Sequence, residues 1–542
     1  MDAVTQVPVP VNEPVRGHAA GSAELSALRQ RVAELAAEPL ELTAAIAGER
    51  RLGGGEPIEV RQPHRHAAVL GTLHNSTAAD ARAAIDAARA AAPGWAALSF
   101  DDRAAVFLRA AELAAGPWRD TLNAATMLGQ SKTVIQAEID AACEMIDFWR
   151  FNVHFARQLL AEQPPVNSAG SWNRLDHRPL EGFVYAITPF NFTSIAGNLP
   201  TAPALMGNVV LWKPSPTQQF SAHFLMRLLE EAGLPPGVIN MLPGDGLAVS
   251  EVALADRDLA GIHFTGSTRT FRNLWAAVGQ NLDRYRSYPR LVGETGGKDF
   301  VVAHASADPD SLRAALLRGA FDFQGQKCSA ASRAYIARSV WDAMRDDFLG
   351  EVDALQVGDV TDPANFMGAV IDAPAFARVS GAIDRARAHQ DVTVLAGGGY
   401  DDSEGYFVRP TVLQGTDPSH EIFTTEYFGP ILGVHVFDDG DYDKVLRRLD
   451  ETSPYALTGA VFARDRAAIS RTAESLRYTA GNFYVNDKPT GAVVGQQPFG
   501  GGRASGTNDK AGAVHNLMRW VSPRTIKETF VPPTAHRYPH QG

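Results

Sequence analysis

One acid and one thiol stand out in this chain. Glu294 lies in the run Gly293-Glu294-Thr295-Gly296-Gly297-Lys298, and Cys328 in Gly325-Gln326-Lys327-Cys328-Ser329, 34 positions later. Cys328 is one of only two cysteines, and Gly, Lys and Ser flank it rather than apolar residues. A thiolate can attack an electrophilic carbon, and a carboxylate can activate the water that later cleaves the adduct. A solvent-exposed loop is the plainer reading of Glu294 from composition alone. Cys143 differs. It falls on one helical face with Ile139, Ile146 and Trp149, which suits an inert buried thiol.

Elements that alternate between strand and helix surround both motifs. Strands are expected at Phe183–Thr188, Asn208–Lys213, Val238–Leu242, Leu259–Thr265 and Arg290–Gly293, with helices at Gln218–Gly233 and Thr268–Val278. After Cys328 the alternation resumes with Ser332–Ala337, Val340–Leu355, Ile431–Phe437, Tyr442–Leu449, Leu457–Ala463, Arg464–Leu476 and Gly481–Asn486. This pitch implies βαβ units and parallel sheets, in two α/β domains joined near residue 299. Ahead of them, Ala78 to Ala97, Asp101 to Ala115 and Ser131 to Leu160 carry helical spacing. The first forty or so residues read as an arm or extended lead-in.

Composition narrows the class of function. A chain of 542 residues, 45% hydrophobic and 20% charged, is a globular protein of two or three domains. A net charge of −11 argues against nucleic acid as partner. Two cysteines make no disulfide framework, and the start Met1-Asp2-Ala3-Val4 shows no secretory or mitochondrial leader, so the expected location is cytoplasmic. The uncharged stretch from Gly182 to Trp212 is long enough to span a bilayer, but Pro189, Pro200, Pro203 and three asparagines interrupt it. It reads as strand, loop, helix and strand inside a protein core, with no membrane partner. No metal-ligating cluster is evident.

A nucleotide site is legible between a strand and a helix. The G-x-G-x-x-G fingerprint is absent, and Phe264-Thr265-Gly266-Ser267-Thr268 stands in its place. Gly266 admits close approach of a ligand, and the following helix N-terminus offers N–H groups to a pyrophosphate. The residues alone favour a simple helix cap by Ser267 or Thr268. Lys213, at the end of the apolar strand Val209-Val210-Leu211-Trp212, adds a cation where open α/β sheets bind ligands. The chain holds eight Lys against 42 Arg, and Lys213, Lys298 and Lys327 all fall in these segments.

Six ordered motifs carry a family resemblance. Ala186-Ile187-Thr188-Pro189-Phe190-Asn191-Phe192, Trp212-Lys213-Pro214-Ser215, Phe264-Thr265-Gly266-Ser267, Glu294-Thr295-Gly296-Gly297-Lys298, Gly325-Gln326-Lys327-Cys328 and Glu426-Tyr427-Phe428-Gly429-Pro430 resemble the NAD(P)-dependent aldehyde dehydrogenase superfamily. Tyr285-Arg286-Ser287-Tyr288-Pro289-Arg290, Lys327-Cys328-Ser329-Ala330, and the run from Thr490-Gly491-Ala492 to Asn508-Asp509 resemble its 1-pyrroline-5-carboxylate dehydrogenase branch. The resemblance implies NAD-dependent oxidation of L-glutamate γ-semialdehyde to L-glutamate in proline degradation. A dehydrogenase for another small semialdehyde, such as succinate semialdehyde, is the alternative. A non-catalytic nucleotide-binding protein fits poorly with Cys328, Glu294 and Asn191 all present.

Roles follow from the resemblance residue by residue. Cys328 is the nucleophile, Glu294 the base, and Asn191 with the Cys328 backbone N–H the oxyanion donors; Asn191 could equally cap the next helix. Thr188, Lys213, Gly266, Ser267, Thr268, Arg269, Thr270, Glu426 and Phe428 are implied cofactor contacts. Pro216 stands where the superfamily often has a Glu for the adenosine ribose, and Phe271 where many members have a second glycine. Phe192, Lys327, Ser329, Gly491, Ala492 and Phe499 are implied substrate contacts, Ala492 replacing a common Ser. Glu144 is a further candidate, although a solvated helix face suits it better. The implied fold is aldehyde dehydrogenase-like: an arm at 1–40, an NAD-binding domain at 41–160 and 181–298, a catalytic domain at 299–507, and a small β oligomerisation flap at 161–180 and 508–542. A homodimer or higher homo-oligomer is expected, with possible functional coupling to a separate proline dehydrogenase.

Overall fold

The computed structural model describes residues 4–542. Two seven-stranded sheets dominate it. The first runs, in spatial order, Arg290–Glu294, Leu259–Thr265, Phe183–Thr188, Val209–Pro214, Ile239–Met241, Ala44–Ile46 and Glu49–Arg51. Its first five strands are parallel and the last two antiparallel additions. Alternate residues feed opposite faces. Val184, Ala186, Val210 and Trp212 enter one core, and Phe183, Tyr185, Val209 and Leu211 the other. Burial on both faces explains why these strands are near-continuous apolar runs. Strand Phe183–Thr188 has its successor on one side and Leu259–Thr265 on the other. The chain order therefore reverses at their carboxyl ends, beside Thr188 and Thr265, which opens a crevice there.

The second sheet runs Val392–Ala396, Thr411–Gly415, Ile431–Phe437, Ala331–Ala337, Asp299–Ala303, Thr458–Phe462 and Asn482–Val485. Only its edge strand Val392–Ala396 is antiparallel. It has its own hydrophobic core. The motif Gly293–Lys298 is the bridge between sheets: it leaves the edge strand Arg290–Glu294 and enters the central strand Asp299–Ala303. Cys328 and Glu426 precede the strands Ala331–Ala337 and Ile431–Phe437. The carboxyl ends of the first sheet thus meet the amino ends of the second.

Most expected elements form within a few residues of their predicted limits, and three expectations change. The stretch 182–212 folds as strand, helix Thr193–Leu205 and strand, and no helix among the described residues is long and apolar enough to cross a membrane. The predicted arm contains a helix, Ala23–Ala37, capped by Ser22 and burying Leu25, Leu28, Val32 and Leu35. The single helix predicted from Ser131 to Leu160 is instead a short helix Val134–Ala137, a π-helical segment Glu138–Glu144 and a helix Met145–Ala161. A π-turn holds an extra residue and rotates the register. It turns Glu138 and Asp140 inward and leaves Ile139, expected on the apolar face, 40% exposed. Between 356 and 430, where the sequence reading assigns no element, the helix Ala373–Ala388 and two strands complete the second sheet.

Outside both sheets, Ser171–Pro179 pairs antiparallel with Val521–Thr529, from Ser171 opposite Thr529 to Pro179 opposite Val521. This two-stranded ribbon lies within the segments 161–180 and 508–542 that the sequence assigns to a flap. A buried charge cluster anchors the region of the π-turn. Arg119, 1% exposed, donates to Glu138, to Glu13 at 2.5 Å and to the Pro14 carbonyl at 2.9 Å. Removing one partner of such a cluster strands the remaining charges in a low-dielectric interior. Arg119→Ala should therefore destabilise the fold by about 3–5 kcal/mol, read from denaturant unfolding. A loss no larger than that of an exposed ion pair, under ~1 kcal/mol, would contradict this account.

Candidate active site

The loop that presents Cys328 is held in a strained shape. Phe323, Gln324 and Gly325 occupy left-handed backbone positions, with φ of 51°, 55° and 64°. Two non-glycine residues in this region are costly and persist only where the surroundings fix them. The Gln324 side chain donates to the Ser131 and Ala369 carbonyls at 2.9 and 2.7 Å and accepts from the Gly368 N–H at 3.0 Å. Gln326 accepts from the Ile371 N–H at 2.9 Å. A side chain at Gly325 would collide with the Gly429 carbonyl. Cys328 itself is half-buried and faces a small cavity shared with Gly297, Lys298, Glu426 and Phe428. Burial, with Asp299, Glu426 and Glu294 nearby, pushes its thiol well up. Cys143 is buried on its helix as expected, with its thiol pushed up to about 12 by burial and Glu138.

Asn191 approaches this loop from the first sheet. Its Nδ2 donates to the Gln326 carbonyl at 3.0 Å, which leaves a second amide N–H beside the Cys328 loop. Asn191 does not cap the following helix. Asp140 does so from the π-turn, accepting from the Thr193 and Ser194 N–H groups at 2.9 and 2.8 Å. The same carboxylate takes Lys132 Nζ at 2.7 Å, and that ammonium sits over the rings of Phe192 and Phe323 at 4.0 and 4.4 Å. Lys132 and Asp140 escaped the sequence reading. One buried ion pair thereby orders the Asn191 helix and one aromatic from each side of the site.

Glu294 is enclosed by glycines and by the tail of the second domain. Its Oε2 accepts from the Gly501 N–H at 3.1 Å, and its backbone carbonyl accepts from the Gly266 N–H at 3.2 Å. Burial raises its carboxyl well above the usual range, against the pull of the Gly501 N–H and Lys510. It is not a solvated loop acid. A side chain at Gly296 would overlap the Glu426 carboxylate, and one at Gly297 the Cys328 carbonyl and Asp299. The Gly297 N–H donates to Glu426 at 2.9 Å. Burial lifts the Glu426 carboxyl to about 7. Phe428, also left-handed at φ 52°, sets its ring edge-on to Phe190 with centroids 5.8 Å apart.

The cofactor candidates line the crevice of the first sheet. The Thr188 hydroxyl accepts from the Trp212 indole at 3.0 Å and donates to Gln218 at 3.4 Å, while Gln218 donates to the Phe192 carbonyl at 2.8 Å. Lys213 is 6% exposed at the end of its strand, and no carboxylate among the described residues lies within 4 Å of it. Burial pulls it down to about 8, with Asp245 opposing. Ser267 caps the helix Thr268–Gln280 by accepting from the Thr270 N–H at 3.1 Å, so the cap reading holds. Arg269 and Thr270 are exposed on its first turn. A Cβ at Gly266 would lie 2.7 Å from the Phe264 ring, so the turn carries none. Phe271 stacks on Phe264 at 5.4 Å. An unpaired cation, a Cβ-free turn and a helix N-terminus suit a dinucleotide pyrophosphate.

The substrate candidates gather on the other side of Cys328. Ser329 shares a 2.8 Å hydrogen bond with the Thr490 hydroxyl, which ties the nucleophile loop to Gly491 and Ala492. Lys327 lies 3.8 Å from Asp322 and is drawn down to about 8 by burial. Phe499 pairs with Ala511 through backbone bonds of 3.0 and 2.7 Å, one residue from Gly500 beside Glu294. Phe192 lies under Lys132. Glu144 is a correction to the solvated helix face. Burial and the nearby Asp140 lift its carboxyl to about 8, against Lys132.

With this geometry described, the chain was compared with known proteins. The aldehyde dehydrogenase family profile matches residues 51–526. A protein of Schizosaccharomyces pombe named probable delta-1-pyrroline-5-carboxylate dehydrogenase is 48% identical, with 98% of each chain covered. The mitochondrial delta-1-pyrroline-5-carboxylate dehydrogenase of Bos taurus is 48% identical over 98% of this chain and 94% of its own. The crystal structure of the delta-pyrroline-5-carboxylate dehydrogenase from Mycobacterium tuberculosis bound with NAD is 65% identical, with a TM-score of 0.97 and all of both chains covered. Motif order, fold and full-length similarity agree, and the chain belongs to the aldehyde dehydrogenase family.

Proposed function

We propose that the protein oxidises L-glutamate γ-semialdehyde, the open form of 1-pyrroline-5-carboxylate, to L-glutamate with NAD as the oxidant. The observation that carries this reading is the meeting of two loops from different sheets. The Asn191 amide reaches the Gln326 carbonyl at 3.0 Å, two residues before Cys328, while the glycine bridge after Glu294 touches the Cys328 carbonyl's surroundings. The names of the relatives and the NAD-bound homologous structure support the substrate and the cofactor.

The chemistry follows from these positions. The Cys328 sulfur, once deprotonated, bonds to the aldehyde carbon, and the Asn191 amide with the Cys328 backbone N–H stabilises the resulting oxyanion. Bound NAD would supply the hydride acceptor, and loss of hydride from this carbon leaves a thioester on Cys328. Glu294 then takes a proton from water, whose oxygen adds to the thioester carbon, and the carbon–sulfur bond breaks to release the acid. Thr188, Lys213 and the turn Gly266–Thr270, with Glu426 and Phe428, would hold the dinucleotide. Ser329, Gly491 and Ala492 receive the substrate carboxylate, Lys327 adds positive charge, and Phe192 and Phe499 wall the aliphatic chain. The domain limits at 1–40, 41–160 with 181–298, 299–507, and 161–180 with 508–542 remain our division of labour. The exposed edges of the ribbon suit pairing with a second copy in a homodimer or larger assembly. Two free cysteines suit a reducing interior, cytoplasmic or mitochondrial. A reaction that oxidises proline supplies such a substrate, which suits functional coupling to a proline dehydrogenase.

Two tests follow. Purified protein should reduce NAD with racemic 1-pyrroline-5-carboxylate at a higher kcat/KM than with succinate semialdehyde or pentanal, and Cys328→Ala should abolish turnover while keeping NAD binding. A preference for the simple aldehydes would reject the substrate, and an active Cys328→Ala protein the mechanism. Glu294→Gln should release one equivalent of NADH in a first burst and then turn over slowly. Because burial raises Glu294, it becomes a base only as pH climbs through that raised value. In the wild type, kcat should thus rise with pH about a midpoint above the ~4.3 of an exposed glutamate, and Glu294→Gln should lack that limb.

A further inference from the structure

Asn12 lies in the segment before the first helix, and every polar atom of its side chain is engaged. Its Nδ2 donates to Asp147 Oδ2 at 2.7 Å and to the Val494 carbonyl at 2.8 Å, and its Oδ1 accepts from Gln496 Nε2 at 3.0 Å. The strap around it is itself fixed. The Glu13 N–H donates to Asp147 Oδ1 at 2.7 Å, the Glu13 carboxylate takes Arg119 at 2.5 Å and Arg150 at 2.8 Å, and the Arg16 N–H donates to Glu138 at 2.8 Å. Asp147 belongs to the helix Met145–Ala161, which continues directly from Glu144 at the site.

The loop that Asn12 grips has little stiffness of its own. Residues 490–499 form no regular element, and Gly491 and Gly495 sit at φ of 93° and 83°. Glycine in this region is free to leave it, so such a loop keeps its shape only through outside ties. One tie is at the near end, where Thr490 meets Ser329. In the middle, Gln497 closes a turn on Val493 at 2.9 Å, and Gly495 lies flat against the Phe151 ring. Asn12 supplies the polar tie from outside the loop at Val494 and Gln496.

We propose that Asn12 is a positioning residue for substrate recognition: by locking Val494 and Gln496 to the helix Met145–Ala161, it holds the backbone N–H groups of Gly491 and Ala492 at the spacing a substrate carboxylate requires. This rests on the proposed substrate reading. An unlocked loop still folds over the site, but its two donors no longer converge. The cost falls on carboxylate-bearing aldehydes and on KM.

The experiment compares wild type, Asn12→Ala and Gln496→Ala with racemic 1-pyrroline-5-carboxylate and with pentanal, which has no carboxylate. Asn12→Ala should raise KM for the first substrate by about tenfold, the effect of roughly one charge-assisted hydrogen bond, with kcat and the KM for NAD within twofold. Its kcat/KM for pentanal should change less than twofold. Gln496→Ala should move KM in the same direction by a smaller factor, and it decides the matter should Asn12→Ala not fold. Equal losses on both aldehydes, or an unchanged KM for 1-pyrroline-5-carboxylate, would overturn the proposal. If the wild type itself shows no preference for the carboxylate-bearing aldehyde, the substrate reading fails first, and the two failures are distinguishable.

Discussion

The structure depends on one close approach of backbone to side chain. Where the chain passes from the first sheet to the second, Gly296 and Gly297 slip between the Glu426 carboxylate and the Cys328 carbonyl. A β-carbon at either position would collide with the Glu426 carboxylate, or with Asp299 and the Cys328 carbonyl. The Gly297 N–H goes to Glu426, and the Glu294 carbonyl, three residues earlier, accepts from the Gly266 N–H. Glu294, the Cys328 loop, the Gly266 turn and Glu426 are therefore placed by a single run of six residues. A pair of α/β sheets supplies many loops, but only this crossing brings the carboxyl ends of one set to the amino ends of the other.

The interior around the site is unusually polar. Lys132 with Asp140, and Arg119 with Glu138 and Glu13, are ion pairs in places that exclude water. Such pairs contribute little net stability, since desolvation offsets most of their attraction. What they supply is direction. Asp140 cannot accept from Lys132, Thr193 and Ser194 together unless the π-turn, the Asn191 helix and the Phe192 ring are all in register. The left-handed run Phe323-Gln324 has the same logic, with strain held by the saturated Gln324 amide.

Much of this was legible in the sequence because it is local. Strands buried on both faces announce themselves as apolar runs, and Ser267 sits where a cap belongs. Of the motif residues, Glu426 shares a cavity with Cys328, Asn191 bonds to the Cys328 loop at Gln326, and Glu294 lies nearby. What stayed hidden depends on residues far apart in the chain. The cap on the Asn191 helix comes from Asp140, more than fifty positions earlier. The π-turn depends on where Glu138 and Asp140 must point, which no periodicity encodes. Glu144 reads as a surface acid until Lys132 and Asp140 are placed around it. The helix Ala23–Ala37 was lost in an Ala-rich, weakly amphipathic stretch, and the grip of Asn12 spans almost the whole chain.

The ribbon has a bearing on how such a chain is made. Its strand Ser171–Pro179 is complete early in synthesis, yet its partner in the ribbon, Val521–Thr529, leaves the ribosome some 340 residues afterwards. At ~5–20 residues per second that interval lasts on the order of tens of seconds. Throughout it a nine-residue hydrogen-bonding edge stands open. Asn173, Arg174, Asp176, His177 and Arg178 make that waiting edge polar, and in the finished fold Arg174 and Asp176 pair across the ribbon with Glu528 and Arg524.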